Sequence, residues 1–164
     1  MKTILTRMKT LVSDNMSGTL FYVKHIEVCH PDIALLNISR TMFPSIFLVP
    51  VSTREDWEAS QRKIAVNGVE AYLLMEYNQR ELSVIGDTER SDGKGILDFV
   101  NDFLTVFRDH RLAVGGVNYL DKPLAIESIN YYREDLTDDA YLIVASISME
   151  CTRLFTQTTL PGNI

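Results

Sequence analysis

From Ala140 to Leu154 every second residue is apolar: Tyr141, Ile143, Ala145, Ile147, Met149 and Cys151 share one side of an extended chain. Alternation of that length fits a β-strand and leaves one face that another element must cover. A second run, Ile64 to Gln79, alternates in part. It sets Val69, Ala71, Leu73, Met75 and Tyr77 on one face and Glu70 and Glu76 on the other. Ser45 to Val51, an apolar strand closed by Pro50, fits as its antiparallel partner across a long hairpin tip at about residues 52–62. Leu124 to Tyr132 is the partner expected for 140–154, joined to it by an acidic turn from Glu134 to Asp139.

Two amphipathic segments supply the cover. Ile96, Phe99, Val100, Phe103, Leu104 and Phe107 recur at helical spacing, with Asp98, Asn101, Asp102 and Thr105 opposite. The charged, turn-rich loop Gly86–Gly95 leads into this helix, with Ser91 or Asp92 as its cap and His110 at its C-terminal end. Near the N-terminus, Ile4, Leu5, Met8, Leu11 and Val12 form one helix face, and Lys2, Arg7 and Lys9 take the other. Thr19 to Val28 is β-branched and aromatic and reads as a strand. His30-Pro31-Asp32 is a turn, and the crossing to Pro44 is irregular. Residues 156–164 read as a flexible tail. The order helix, strand, hairpin, helix, hairpin predicts one α+β domain over residues 1–164. Its sheet is antiparallel or mixed, with a protruding long β-hairpin and two amphipathic helices packed on one side.

Composition excludes several classes. At 164 residues with 46% apolar and 23% charged, the chain is an ordinary globular one, able to bury roughly 70% of its unfolded surface without staples. No apolar run approaches the ~20 residues of a membrane span, and Lys2, Arg7 and Lys9 break any signal-peptide core. The net charge is −6, and the excess of acid lies between residues 81 and 139. No cluster of Lys and Arg is available to grip phosphates, so tight nucleic-acid binding is not expected. Cys29 and Cys151 are expected as free thiols.

Motifs for chemistry are equally sparse. His25 and Cys29 on one strand would stand over ~13 Å apart, too far to share a zinc ion. Gly93-Lys94 is followed by Gly95, and Thr88 stands where a phosphate-binding loop needs its first glycine. No nucleophile elbow or Cys/His signature is present, and the acid pairs of 134–139 have no apolar shell to raise a pKa. No catalytic residue, cofactor or metal is therefore expected. Aromatic residues are the remaining signal. Trp57 falls in the polar hairpin tip, where it serves a subunit contact or a local mini-core. Tyr72 and Tyr77 accompany a strand and join it as candidate interface residues.

In its order of elements the chain resembles the tail terminator (tail-completion) proteins of long-tailed bacteriophages. Ile4–Val12, Ser45–Gln79, Gly95–His110 and Leu124–Leu154 occupy the places of that family's first helix, protruding hairpin, second helix and closing strand pair. The nearest local match is Gly95-Ile-Leu-Asp-Phe-Val-Asn-Asp-Phe-Leu. The similarity is one of patterning over nearly the whole chain, without a diagnostic motif. It implies a structural virion protein made in the host cytoplasm. Such a protein forms a homo-oligomeric ring, a hexamer, on the tail tube protein, ends tube growth and docks the head connector or stopper. It implies no catalytic residues. DNA would pass through the lumen unbound, and Glu134, Asp135, Asp138 and Asp139 are the candidates for an acidic lining. A head–tail connector or stopper of the neck is the alternative, and a small cytosolic enzyme or binding domain a further one.

Overall fold

The computed structural model describes residues 1–30, 42–57, 63–76, 82–86, 93–137 and 140–154. Two antiparallel hairpins lie side by side in one sheet. The first joins β2 (Ser45–Trp57) to β3 (Lys63–Glu76), and the second joins β4 (Ala125–Thr137) to β5 (Ala140–Leu154). The central pair β3 and β5 is in register from Ile64 opposite Leu154 to Glu76 opposite Leu142. A short strand β1 (His25–Val28) adds in parallel to the start of β2, giving the order β1-β2-β3-β5-β4. The sheet is mixed and the class is α+β, as the periodicities predict.

The expected helices cover one face. They are α1 (Lys2–Asn15) and α3 (Ile96–Phe107); a single turn, α2 (Leu82–Ile85), precedes α3. Ile4, Leu5, Met8 and Val12 of α1 meet Ile46 and Leu48 of β2, Ala71 and Leu73 of β3, and Ala145 and Ile147 of β5 in a continuous core. Phe99, Phe103 and Phe107 of α3 are fully buried there, with the last two rings stacked at 4.4 Å. The alternate residues of the same strands face the other way. Phe47, Leu74, Leu142 and Val144 form a smaller buried cluster with Phe43 on that side.

Several local expectations fail for physical reasons. Thr19–Val28 is not one strand. Only His25–Val28 pairs, and the chain before it runs in turns closed by Leu20 N–H to Asn15 O and Val23 N–H to Leu20 O. Leu20 and Val23, three apart, are thereby buried under the helices. Pro50 does not end β2. It sits where β1 has stopped and β2 has become an edge, and the register shifts between Pro50 and Ser52. Pairing then continues to Trp57 opposite Lys63, so the tip shrinks to 58–62, outside the described residues. Among the described residues the hairpin does not protrude as a free arm, because β5 flanks β3 along Ile64–Glu76.

The acidic turn is likewise shorter than expected. Glu134 pairs with Leu142, Asp135 with Tyr141 and Thr137 with Ala140, so most of it is strand, while 138–139 lie outside the described residues. Gly95, rather than Ser91 or Asp92, is the N-cap of α3, and its N–H donates to Asp98 Oδ2 at 3.1 Å. A Cβ there would run into the backbone of Gly86 and Val84. Helix α3 ends at Phe107. His110 lies beyond it and accepts the Leu112 N–H on Nδ1 at 2.8 Å. The expected turn at 30–32 and tail at 156–164 fall largely or wholly outside the described residues.

Candidate functional site

The residues singled out from sequence do not converge. Trp57 ends β2 opposite Lys63, whereas Tyr72 stands opposite Phe47, nine residues along β3 and so roughly 30 Å from that end. The Tyr72 hydroxyl donates to Glu70 Oε2 at 2.7 Å, and its ring packs against the smaller cluster. Burial and the Glu70 carboxylate raise the pKa of this phenol. Tyr77, Asp138 and Asp139 lie outside the described residues. Glu134 and Asp135 take their places in β4 near the far end of the sheet.

What the fold exposes is a pair of unlike edges. On one side, β2 beyond Leu48 has no strand on its outer flank among the described residues, and Val51 there is 61% exposed. On the other side β4 has no strand on its outer flank among the described residues, and Tyr131 and Tyr132 there are exposed. Open edges present unpaired N–H and C=O groups and invite another strand. A third exposed feature is the tight turn Val114-Gly115-Gly116-Val117. Its outer residues exchange two backbone hydrogen bonds of 3.1 Å while both glycines hold positive φ. Both valines are exposed.

A cavity of about 360 Å³ opens between the N-terminal end of α1 and the sheet, with Thr53, Asn67, Tyr119 and Arg153 as its polar lining. Sequence reasoning missed all four. The signal for two of them was present: Asn67 continues the apolar face of β3, and Arg153 that of β5, so each is a polar residue at a core-facing step. Tyr119 is placed by the long excursion after α3, whose path is fixed by Tyr119 N–H to Arg111 O and Asp121 N–H to Thr152 O.

Other titratable groups are held in local structural pairs. Tyr22 donates to Asp102 Oδ2 at 2.9 Å, and Lys94 Nζ lies 3.2 Å from the same oxygen. Burial and Asp102 together raise the Tyr22 pKa. His25 Nε2 lies 3.1 Å from Glu27 Oε2. Cys29 and Cys151 are free thiols, and burial pushes Cys151 up to about 12. Among the described residues no group of three His, Cys, Asp or Glu side chains is placed to hold a metal, and no helix is long and apolar enough to cross a membrane.

Compared with models of known protein families and with curated protein sequences, the chain matches none.

Proposed function

We propose that this chain is a ring-forming structural protein of a long-tailed bacteriophage. In this reading it caps the head-proximal end of the tail tube, ends polymerisation and offers its other side to the head connector. The observation that carries the reading is the pair of unlike open edges, β4 on one side and the outer half of β2 on the other. Two different edges can meet each other, one edge of one subunit against the other edge of the next. They suit a heterologous, head-to-tail contact, which closes a ring when the rotation per subunit divides a full turn. Helices covering a single face of the sheet leave both edges accessible in such a ring.

Charge fits the passage of DNA. Each subunit brings a net −6, and an acidic wall repels the phosphate backbone instead of binding it. Glu134, Asp135, Asp138 and Asp139 are proposed to face that channel. A symmetric reconstruction with these residues on the outer wall would remove this part of the proposal.

The test is electron microscopy of lysates from a phage in which this gene is stopped early. Filled heads beside unattached tails of variable, abnormal length are the expected result. Tails of normal length beside heads that leak DNA would assign the chain to a neck connector or stopper. Intact infectious particles would overturn the structural reading.

A further inference from the structure

Tyr119 holds two guanidinium groups. Arg7 Cζ lies 4.3 Å and Arg153 Cζ 4.2 Å from the ring centroid. Arg7 is further tied down, donating from Nη1 to Leu112 O at 2.8 Å. Arg153 donates from Nη1 to the Tyr119 hydroxyl at 2.7 Å, which leaves Nε and Nη2 without a protein acceptor among the described residues. Neither arginine faces a carboxylate among the described residues. The nearby Asp121 is turned to the Leu154 N–H, and Glu150 is paired with Arg54 on the opposite side of the sheet. The chain's net charge is −6, and Arg153, exposed beside Arg7, makes a local positive spot that lacks only a place to hold an anion.

The cavity beside them supplies one. Asn67 lines it while being only 3% exposed. Its Oδ1 accepts from Thr53 Oγ1 at 3.1 Å, and its Nδ2 has no acceptor among the described residues. The polar rim is thus rich in donors, Asn67 Nδ2 and the Arg153 fork, with no acid among its lining residues. Met1, Ile4, Ala65 and Leu154 line the rest, and their apolar groups suit a short aliphatic stem. The volume, about 360 Å³, lies at the small end of the range for ligand sites.

We infer that this cavity is a carboxylate-binding site, with the Arg153 fork and Asn67 Nδ2 on the oxygens and the aliphatic stem against Ile4 and Leu154. Charge-assisted, forked contacts of this kind favour a planar carboxylate over a spherical anion. The inference does not depend on the ring reading. The carboxylate belongs either to a small free acid or to an acidic side chain of a docking protein.

Titration of the full chain with acetate and with N-acetylglutamate amide, at constant ionic strength, tests it. N-acetylglutamine amide is the neutral control, and the side-chain amide resonances of Asn67 are the readout. Saturable shifts with both acids and none with the glutamine compound are expected. Arg153→Ala should weaken binding about tenfold or more, and Arg153→Lys should fall between, since it keeps the charge and loses the fork. A tenfold preference for the glutamate compound over acetate would identify a protein side chain as the source, and equal affinity a free acid. No saturable shift with either acid would overturn the site. So would equal binding of the glutamine compound, or a folded Arg153→Ala variant that binds as the parent does.

Discussion

The two faces of the sheet are built on different principles. On the helix face, apolar side chains from two helices and from β2, β3 and β5 form one continuous core, with a polar cavity at its edge. On the other face, the buried apolar cluster sits at one end, around Phe47, Leu74 and Val144, with Val49 and Val66 buried outside it further along the strands. Ser146, Ser148, Glu70 and Glu150 continue the same strands beside it. There Ser45 is fully buried with its Oγ unpartnered. The first face holds the larger share of the buried apolar side chains; the second accommodates polar groups and an unsatisfied hydroxyl among fewer of them. A surface of that kind has latitude to serve contacts with other molecules.

The comparison is broken most directly by truncating one aromatic on each face. Phe103→Ala should cost about 3–5 kcal/mol in a denaturant titration, whereas Phe47→Ala should fall at or below the low end of that range. Equal losses would mean that both faces are packed alike. A second contrast is electrostatic. Cys151 lies on the helix face and its pKa is raised from 9.0 to about 12 by burial. The unfolded thiol ionises first, so stability is unaffected below pH 9 and falls by at most ~1.4 kcal/mol per unit as pH rises towards 12. Cys151→Ala should lessen the slope of alkaline unfolding curves by up to this amount, leaving the part due to the raised phenols of Tyr22 and Tyr72. At pH 8 a thiol reagent should label half-buried Cys29 and spare Cys151 until the protein unfolds.

Smaller effects sharpen the picture on the second face. Tyr72→Phe removes the hydrogen bond to Glu70 and should cost about 1 kcal/mol. Ser45→Ala removes a buried hydroxyl with no partner, so its melting temperature should stay level or rise by a few degrees. A fall of several degrees would show that Ser45 makes a contact this reading lacks.

The sequence disclosed the parts of the fold that repeat. Alternation in 140–154 and the helical spacing of Ile96 to Phe107 located β5 and α3 nearly to their ends, because each pattern is sustained long enough to exclude the other period. It failed where composition stood in for periodicity. Thr19–Val28 is β-branched and aromatic, yet Leu20 and Val23 are spaced for turns, and pairing begins only at His25. Pro50 reads as a stop signal and becomes a register shift instead, since its cost depends on which neighbouring strand is present. The cavity was half legible. Asn67 and Arg153 stand at core-facing steps, but their meeting with Tyr119 follows from the path of 108–124. Positive φ at Asp109 and Leu112 and hydrogen bonds to distant carbonyls set that path, and no local pattern encodes it.

The open edge of β4 has a consequence for the free chain. An unpaired strand this long is a template for uncontrolled addition, and a concentrated solution of such chains would be prone to aggregate. Two irregularities interrupt it, one between Ile126 and Ser128 and one between Asp135 and Thr137. Each breaks the regular spacing of N–H and C=O groups and leaves only the stretch between them as a straight ladder. With Glu127 and Arg133 exposed along it, that shortened ladder admits a strand of matching length and charge and discourages indiscriminate stacking. Straightening either irregularity should therefore appear first as lost solubility, before any change in the fold.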